Sequence, residues 1–253
     1  MIFCGVDYGL TDTKYAYQKN GDIICTNTKP DFEASYGYTG IKAADKEHHF
    51  PEFDCVVAGA KRLTGLKEFL LVSTGTGTAF LRVTSDNYSH LGGSGLGGGT
   101  IKGLYGFSGK NADVRLISAL SERGNVNNVD LIMSDIMDVS PESLLPPDIT
   151  VSLLHKLNDK TLPEDFAAGI THLVAESLLM MAVFARRNSE KIVFTGGLAN
   201  LKILRQKASI LERIHKISFI FPENASFAGA IGCLINVKSN IENNLKENNY
   251  DLS

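Results

Sequence analysis

No stretch of this 253-residue chain reaches about 18 uninterrupted apolar residues, so no membrane-crossing helix is expected. Charge of one sign is not in surplus either. Lys and Arg number 25 against 28 Asp and Glu, a net charge of −3, which gives no electrostatic footprint for nucleic acid or a membrane surface. The four cysteines, Cys4, Cys25, Cys55 and Cys233, form no CxxC pair. That leaves free thiols in a reducing cytosol as the expectation. The opening MIFCGVDYG has no basic n-region, so no signal peptide is expected. Two phosphate loops are missing as well. No lysine precedes Gly99-Thr100 as a P-loop requires. Gly93, Gly95 and Gly98 match G-x-G-x-x-G, but the run is so rich in glycine that the match is nearly free. It is also not the first βα turn of a unit, with an acid about 20 residues on. No fixed-period repeat is present.

What the chain does have is glycine in one place. His90 to Gly109, HLGGSGLGGGTIKGLYGFSG, holds nine of the 24 glycines. An apolar segment with Ile101, Leu104 and Phe107 at helical spacing follows at once, so a helix N-terminus is expected to aim its free N–H groups at an anion there.

The rest reads as a mixed α/β chain of one large domain or two lobes. Strands are expected at 2–6, 14–18 and 22–28, joined by a turn at Asn20-Gly21, with a short strand or turn at 36–40. His48-His49 reads as surface loop, since adjacent side chains point apart. Pro51 opens a helix over 52–66. Strands at 69–73 and 79–83 flank Thr74-Gly75-Thr76-Gly77-Thr78. Residues 111–137 read as two helices broken near Gly124-Asn125, and Pro141 to Asp148 as a loop. The clearest helix spans 164–187, where Phe166, Ile170, Leu173, Val174, Leu178, Met181 and Ala185 recur every three or four residues; it faces the core or a second copy. A βαβα run follows: strand 192–195, helix 198–207, strand 217–221, helix 226–237. The tail from Lys238 reads as frayed helix or disorder.

Glycine turns after strands recur at Asp7-Tyr8-Gly9, Gly75-Thr76-Gly77, Gly92–Gly99 and Gly196-Gly197. They fit either a polyphosphate gripped from several sides or tight turns in a large sheet. Glu52 and Asp54 likewise fit two readings: acids favoured in a helix first turn, or a general base for phosphoryl transfer.

The order DxGxT…K (Asp7, Gly9, Thr11, Lys14), then GTG, GG and AGAIG, resembles the actin/Hsp70/sugar-kinase superfamily. Within it, four stretches resemble type II pantothenate kinases. They are Glu52-Phe53-Asp54-Cys55, Ser73 to Thr78, Asp86-Asn87-Tyr88 running into Gly92 to Leu104, and Phe221 to Leu234. The resemblance implies a two-lobed actin-like ATPase (ribonuclease H-like) fold with mixed sheets. It would have a shortened small lobe at 1–68 and a larger lobe at 69–253. It also implies a cytoplasmic homodimer that phosphorylates pantothenate with ATP and Mg²⁺ and binds neither nucleic acid nor membrane. By the same resemblance Glu52, Lys14 and His90 are the catalytic positions, with Glu52 the base and Lys14 meeting the transferred phosphate; Asp7 is the acid near the metal, and Glu52, Ala79 and His90 border the substrate. Gly9, Thr11, Gly75, Thr76, Gly77, Gly97, Gly98, Gly99, Thr100 and Gly196 contact the nucleotide, and Thr76 also reaches the substrate. Three positions depart from the family pattern: Leu10 replaces a glycine, His90 an arginine at the substrate, and Ala79 a substrate-binding serine. These departures leave two alternatives: a kinase of another small hydroxyl compound, or a relative that binds a nucleotide or coenzyme A derivative without turnover.

Overall fold

A computed structural model describes residues 2–110, 113–138, 147–188 and 190–250. The loop expected at 141–148 lies, but for its last two residues, outside them. The chain opens with β1 (Phe3–Tyr8), β2 (Thr13–Lys19) and β3 (Asp22–Thr26), an antiparallel meander turned at Asn20-Gly21. The segment 36–40 resolves as a strand, β4 (Ser35–Thr39), which runs parallel to β1. Helix α1 (Glu52–Thr64) starts after Pro51 and stops at Gly65, whose left-handed φ of 68° lets its N–H reach Lys61 O.

Next come β5 (Phe69–Thr74) and β6 (Thr78–Val83), then β7 (Tyr88–Ser94), which pairs antiparallel with β6. The sequence reading places half of this last strand in a glycine loop. It is instead the edge of a sheet, where main-chain pairing to one neighbour holds Gly92 and Gly93 without side-chain packing. Helix α2 (Gly98–Phe107) follows, and then α3 (Val114–Ser121). A second helix before residue 137 does not form; short 3₁₀ turns flank β8 (Leu131–Ile132), which pairs with β9 (Thr150–Ser152).

Helix α4 (Pro163–Ala185) is long enough to span a bilayer, with a window of mean hydropathy 1.6. Most of its apolar side chains are nevertheless placed in the core: Ile170, Val174 and Leu178 are fully buried with Leu70, Val72 and Phe194. Each such side chain contributes about 1.5–3 kcal/mol by leaving water. The chain ends with β10 (Ile192–Gly196), α5 (Lys202–His215), β11 (Phe219–Ile220) and α6 (Ala228–Tyr250). Helix α6 carries on through the tail expected to fray.

Two mixed sheets result. The first has order β3-β2-β1-β4, the second β11-β10-β5-β6-β7, with β10 parallel to both β5 and β11. The carboxyl ends of β1, β4, β5 and β10 all open on one cleft, as ligand sites in α/β sheets do.

Two helices sit between the sheets. Helix α1 lays Val56, Val57 and Ala60 on Phe69, Leu71, Leu81 and Val193 of the second sheet. Helix α6 packs Ala230, Ile231 and Leu234 with Ala16 and Phe3 of the first. The two helices cross nearly backbone to backbone. A Cβ on Gly59 would land on Ala228 O, and one on Gly232 on Cys55 O. A division at residue 68 does not follow this packing. Helix α1, from before that point, lies on the second sheet, and α6, from the far end, covers the first.

Candidate active site

The cleft has a volume of about 490 Å³. An open hollow of about 730 Å³ beside Lys29–Tyr36 is larger, but no glycine turn reaches it. One wall of the cleft comes from the first sheet. Asp7 near the end of β1 faces Lys14 on β2 as its direct cross-strand partner. Burial raises the Asp7 carboxyl to about 6; Lys14 pulls it back down and Glu52 pushes it further up. The start of α6 closes in behind, so that a Cβ on Gly229 would stand 2.6 Å from Asp7 Oδ2.

Glu52 and Asp54 separate clearly. Asp54 Oδ1 accepts the Tyr88 hydroxyl at 2.6 Å, and that bond, with burial, pushes the Tyr88 phenol up to about 12. Asp54 is therefore committed to holding α1 against β7. Glu52, at the first position of α1, is exposed, lines the cleft and has no hydrogen-bond partner among the described residues. Of the two first-turn acids, only Glu52 is free to take a proton.

The opposite wall is the turn Gly75-Thr76-Gly77 between β5 and β6, with Gly75 N–H bonded to Gly77 O at 2.7 Å. The turn is braced from behind by the start of α2. Gly98 N–H donates to Gly75 O and Gly99 N–H to Thr76 O, both at 2.9 Å, while Thr100 Oγ1 accepts from Gly97 N–H at 3.2 Å. Gly97, Gly98, Gly99 and Thr100 are the residues expected to contact the nucleotide from this side. They do not line the cleft, and two of the first N–H groups of α2 are spent on the turn rather than offered to an anion. Their glycines are explained by close approach: a Cβ on Gly97 would land on Thr76 O.

Gly196 closes the far end, with φ 88° and no room for a side chain against Thr74 O. Thr74 Oγ1 ties this turn together, donating to Thr195 O at 2.7 Å and accepting from Leu198 N–H at 3.2 Å. Gly196→Ala is expected to destabilise the fold by roughly 3 kcal/mol or more, from positive φ plus overlap. A chemical-denaturation midpoint unchanged from wild type would contradict this.

Gly9 and Ala79 line the cleft, whereas Thr11 and His90 do not. The His90 ring is exposed on β7 and packs at 5.0 Å between centroids on Phe53, which does line the cleft. Residues missed from sequence also line the cleft. The Thr195 hydroxyl is buried there without a partner among the described residues. Leu10, Ile41 and Phe53 are apolar members of its lining. Thr195 had a signal in its place just before Gly196-Gly197; Ile41 had none.

Among the described residues, no group of three or more His, Cys, Asp or Glu side chains could cage a metal. The cleft does hold one partly buried carboxylate, Asp7, whose charged form burial disfavours. That suits a magnesium ion held mainly by water and phosphate oxygens and by one carboxylate.

Two sheets with crossing helices between them and glycine turns on a shared cleft define an actin-like ATPase fold. Solved structures agree. The activator of 2-hydroxyisocaproyl-CoA dehydratase from Clostridium difficile, with bound ADPNP, superposes with TM-score 0.63 at 16% identity, covering 98% of both chains. Component A of (R)-2-hydroxyglutaryl-CoA dehydratase from Acidaminococcus fermentans gives 0.62 at 16% identity, covering 94% of this chain and 98% of that one. A type II pantothenate kinase of Staphylococcus aureus (strain USA300) is 28% identical over 198 residues, 73% of each chain. The chain belongs to the Fumble family, whose profile matches residues 12–236.

Proposed function

We propose that this protein is a type II pantothenate kinase, transferring the γ-phosphoryl group of ATP to the primary hydroxyl of pantothenate. One observation carries the reading. In a chain of the Fumble family, Asp7, Lys14, the unpartnered Glu52 and the Gly75–Gly77 turn converge on one cleft. Phosphoryl transfer needs positioning and charge neutralisation rather than covalent help from the protein, and these residue types supply both.

Glu52 accepts the hydroxyl proton as the oxygen bonds to phosphorus and the bond to the bridging β,γ-oxygen breaks, releasing ADP. Lys14 offsets charge on the transferred group. Thr76 and the Gly75–Gly77 backbone position the phosphates, and the Gly196 turn borders the nucleoside. Asp7 would hold magnesium, which supplies charge neutralisation for the phosphates. Leu10, Ile41 and Phe53 shape the acceptor end beside Ala79.

The protein is proposed to act in the cytoplasm as a homodimer. Met181 and Phe184 on α4, 38% and 77% exposed, are the apolar surface a second copy would cover. The working lobes are the first sheet with α6, and the second sheet with its helices. Purified protein given Mg-ATP and pantothenate should form phosphopantothenate and ADP in equal amounts, followed by mass spectrometry. ATP consumption equal with and without pantothenate would overturn the acceptor.

A further inference from the structure

Four free cysteines lie in this chain, and two of them touch: Cys55 Sγ and Cys233 Sγ are 3.3 Å apart, both fully buried. Cys55 is on α1, which packs on the second sheet, and Cys233 on α6, which covers the first. The close crossing at Gly232 and the Cys55 carbonyl holds the two helices near enough for the two sulfurs to touch. We infer that Cys55 and Cys233 are an oxidative modification site: a dithiol that closes to a disulfide and staples the two halves of the molecule at their junction.

Cys55 is the entering nucleophile. The Asn236 amide donates to its sulfur at 3.7 Å. Cys233 is the resolving thiol, because burial, the neighbouring Cys55 sulfur and Asp7 all hold it protonated. With a small disulfide R–S–S–R as oxidant, the Cys55 thiolate bonds to one sulfur and expels RS⁻, which takes up the Cys55 proton. Cys233 then loses its proton, its sulfur attacks Cys55 Sγ, and the second RS⁻ leaves as RSH. Two electrons and two protons pass from the protein to the oxidant, giving two RSH. Neither sulfur meets solvent, so the reaction waits on the two helices parting. It is therefore slow, and slower still when a ligand holds the cleft closed.

The staple sits under the site. Cys55 is one helical turn beyond Glu52, and Cys233 one turn beyond Gly229, which abuts Asp7. Resting on the kinase reading, closing the bridge fixes the junction about which the cleft must open to release ADP, so turnover falls.

The test treats the whole native protein with oxidised glutathione, blocks remaining thiols with an alkylating agent under denaturing conditions, and maps the digest without reduction. Expected is a peptide joining Cys55 to Cys233, with Cys4 and Cys25 alkylated. The bridge spans most of the chain, so thermal unfolding should shift up by on the order of 10 °C, reversibly with dithiothreitol. Cys55→Ala and Cys233→Ala should each abolish the linked peptide and the shift. Four alkylated cysteines after prolonged oxidation, glutathione adducts alone, or a link through Cys4 or Cys25 would overturn the pair. Phosphorylation of pantothenate by reduced protein should drop at least twofold on oxidation and return with reductant; a linked protein with unchanged turnover would overturn the junction lock. A reduced protein with no kinase activity would count against the function alone, since the linked peptide and the thermal shift are read without substrate.

Discussion

Glu52→Gln is expected to lower kcat for phosphopantothenate formation by ~10²–10⁴-fold, the usual contribution of a positioned general base. The change keeps the side chain's size and removes its ability to take a proton. Nothing in the described fold depends on that carboxylate: Glu52 is exposed and unpartnered at the start of α1. Nucleotide affinity and melting temperature should therefore stay near wild type. Asp54→Asn is the matched control. Asp54 is two residues away but committed to the Tyr88 hydroxyl at 2.6 Å. Weakening that bond should cost about 1–2 kcal/mol of stability and leave kcat within a few-fold. If Glu52→Gln kept more than a tenth of wild-type kcat, or if Asp54→Asn lost the larger share, the base has been assigned to the wrong acid.

The contrast between these two acids shows where sequence reasoning stops. Both sit in a helix first turn, and nothing in their spacing says which one is tied up; the partner, Tyr88, is 34 residues away. The strand ends and glycine turns were legible because they are local. Hydrophobic runs of four to six residues ending in Asp7-Tyr8-Gly9, Thr74-Gly75 and Gly196 do form β1, β5 and β10 and do meet at one cleft. The glycine loop was legible in place but not in purpose. Gly97, Gly98 and Gly99 are glycines because the backbone of the Gly75–Gly77 turn lies against them, a contact between segments some 20 residues apart.

The second helix expected near 125–137 failed for a tertiary reason. Asp130, in the middle of that stretch, is fully buried, with Oδ1 accepting Leu154 N–H at 2.7 Å and Oδ2 2.6 Å from His172 Nδ1 on α4. Asp165 of α4 similarly takes Asn125 N–H and the Asn128 amide. The pull of these buried polar contacts outweighs a weak helical pattern. His90 shows the converse. Its place where the resembled family has an arginine made it a site candidate, yet its ring packs on Phe53 from the edge strand.

Asp7→Asn is expected to abolish most turnover, on the order of a 10²-fold loss, while leaving the ligand-free protein as stable at pH 7 as wild type or more so. The reason is the cost of its charge. Burial raises the Asp7 carboxyl from 3.8 to about 6. A folded-state value above the unfolded one means the native state holds the proton more tightly. Stability from this group is therefore fully present below about 4, falls as pH rises from about 4 to about 6, and stays lost above, by on the order of 2–3 kcal/mol. Asparagine does not ionise and escapes that loss. On the proposed kinase reading the same charge would hold magnesium, and the nucleotide phosphates only through that ion, so binding would relieve the penalty. Two measurements follow from one residue. Wild-type stability without ligand should decline between pH 4 and 6.5 by an increment that Asp7→Asn does not show. The rise in melting temperature on adding Mg-ATP at pH 7.5 should shrink in the variant, and in wild type it should fade as pH drops through about 6. A variant that is markedly less stable without ligand yet responds normally to Mg-ATP would mean that Asp7 braces the start of α6 through Gly229 and takes no part in holding the metal.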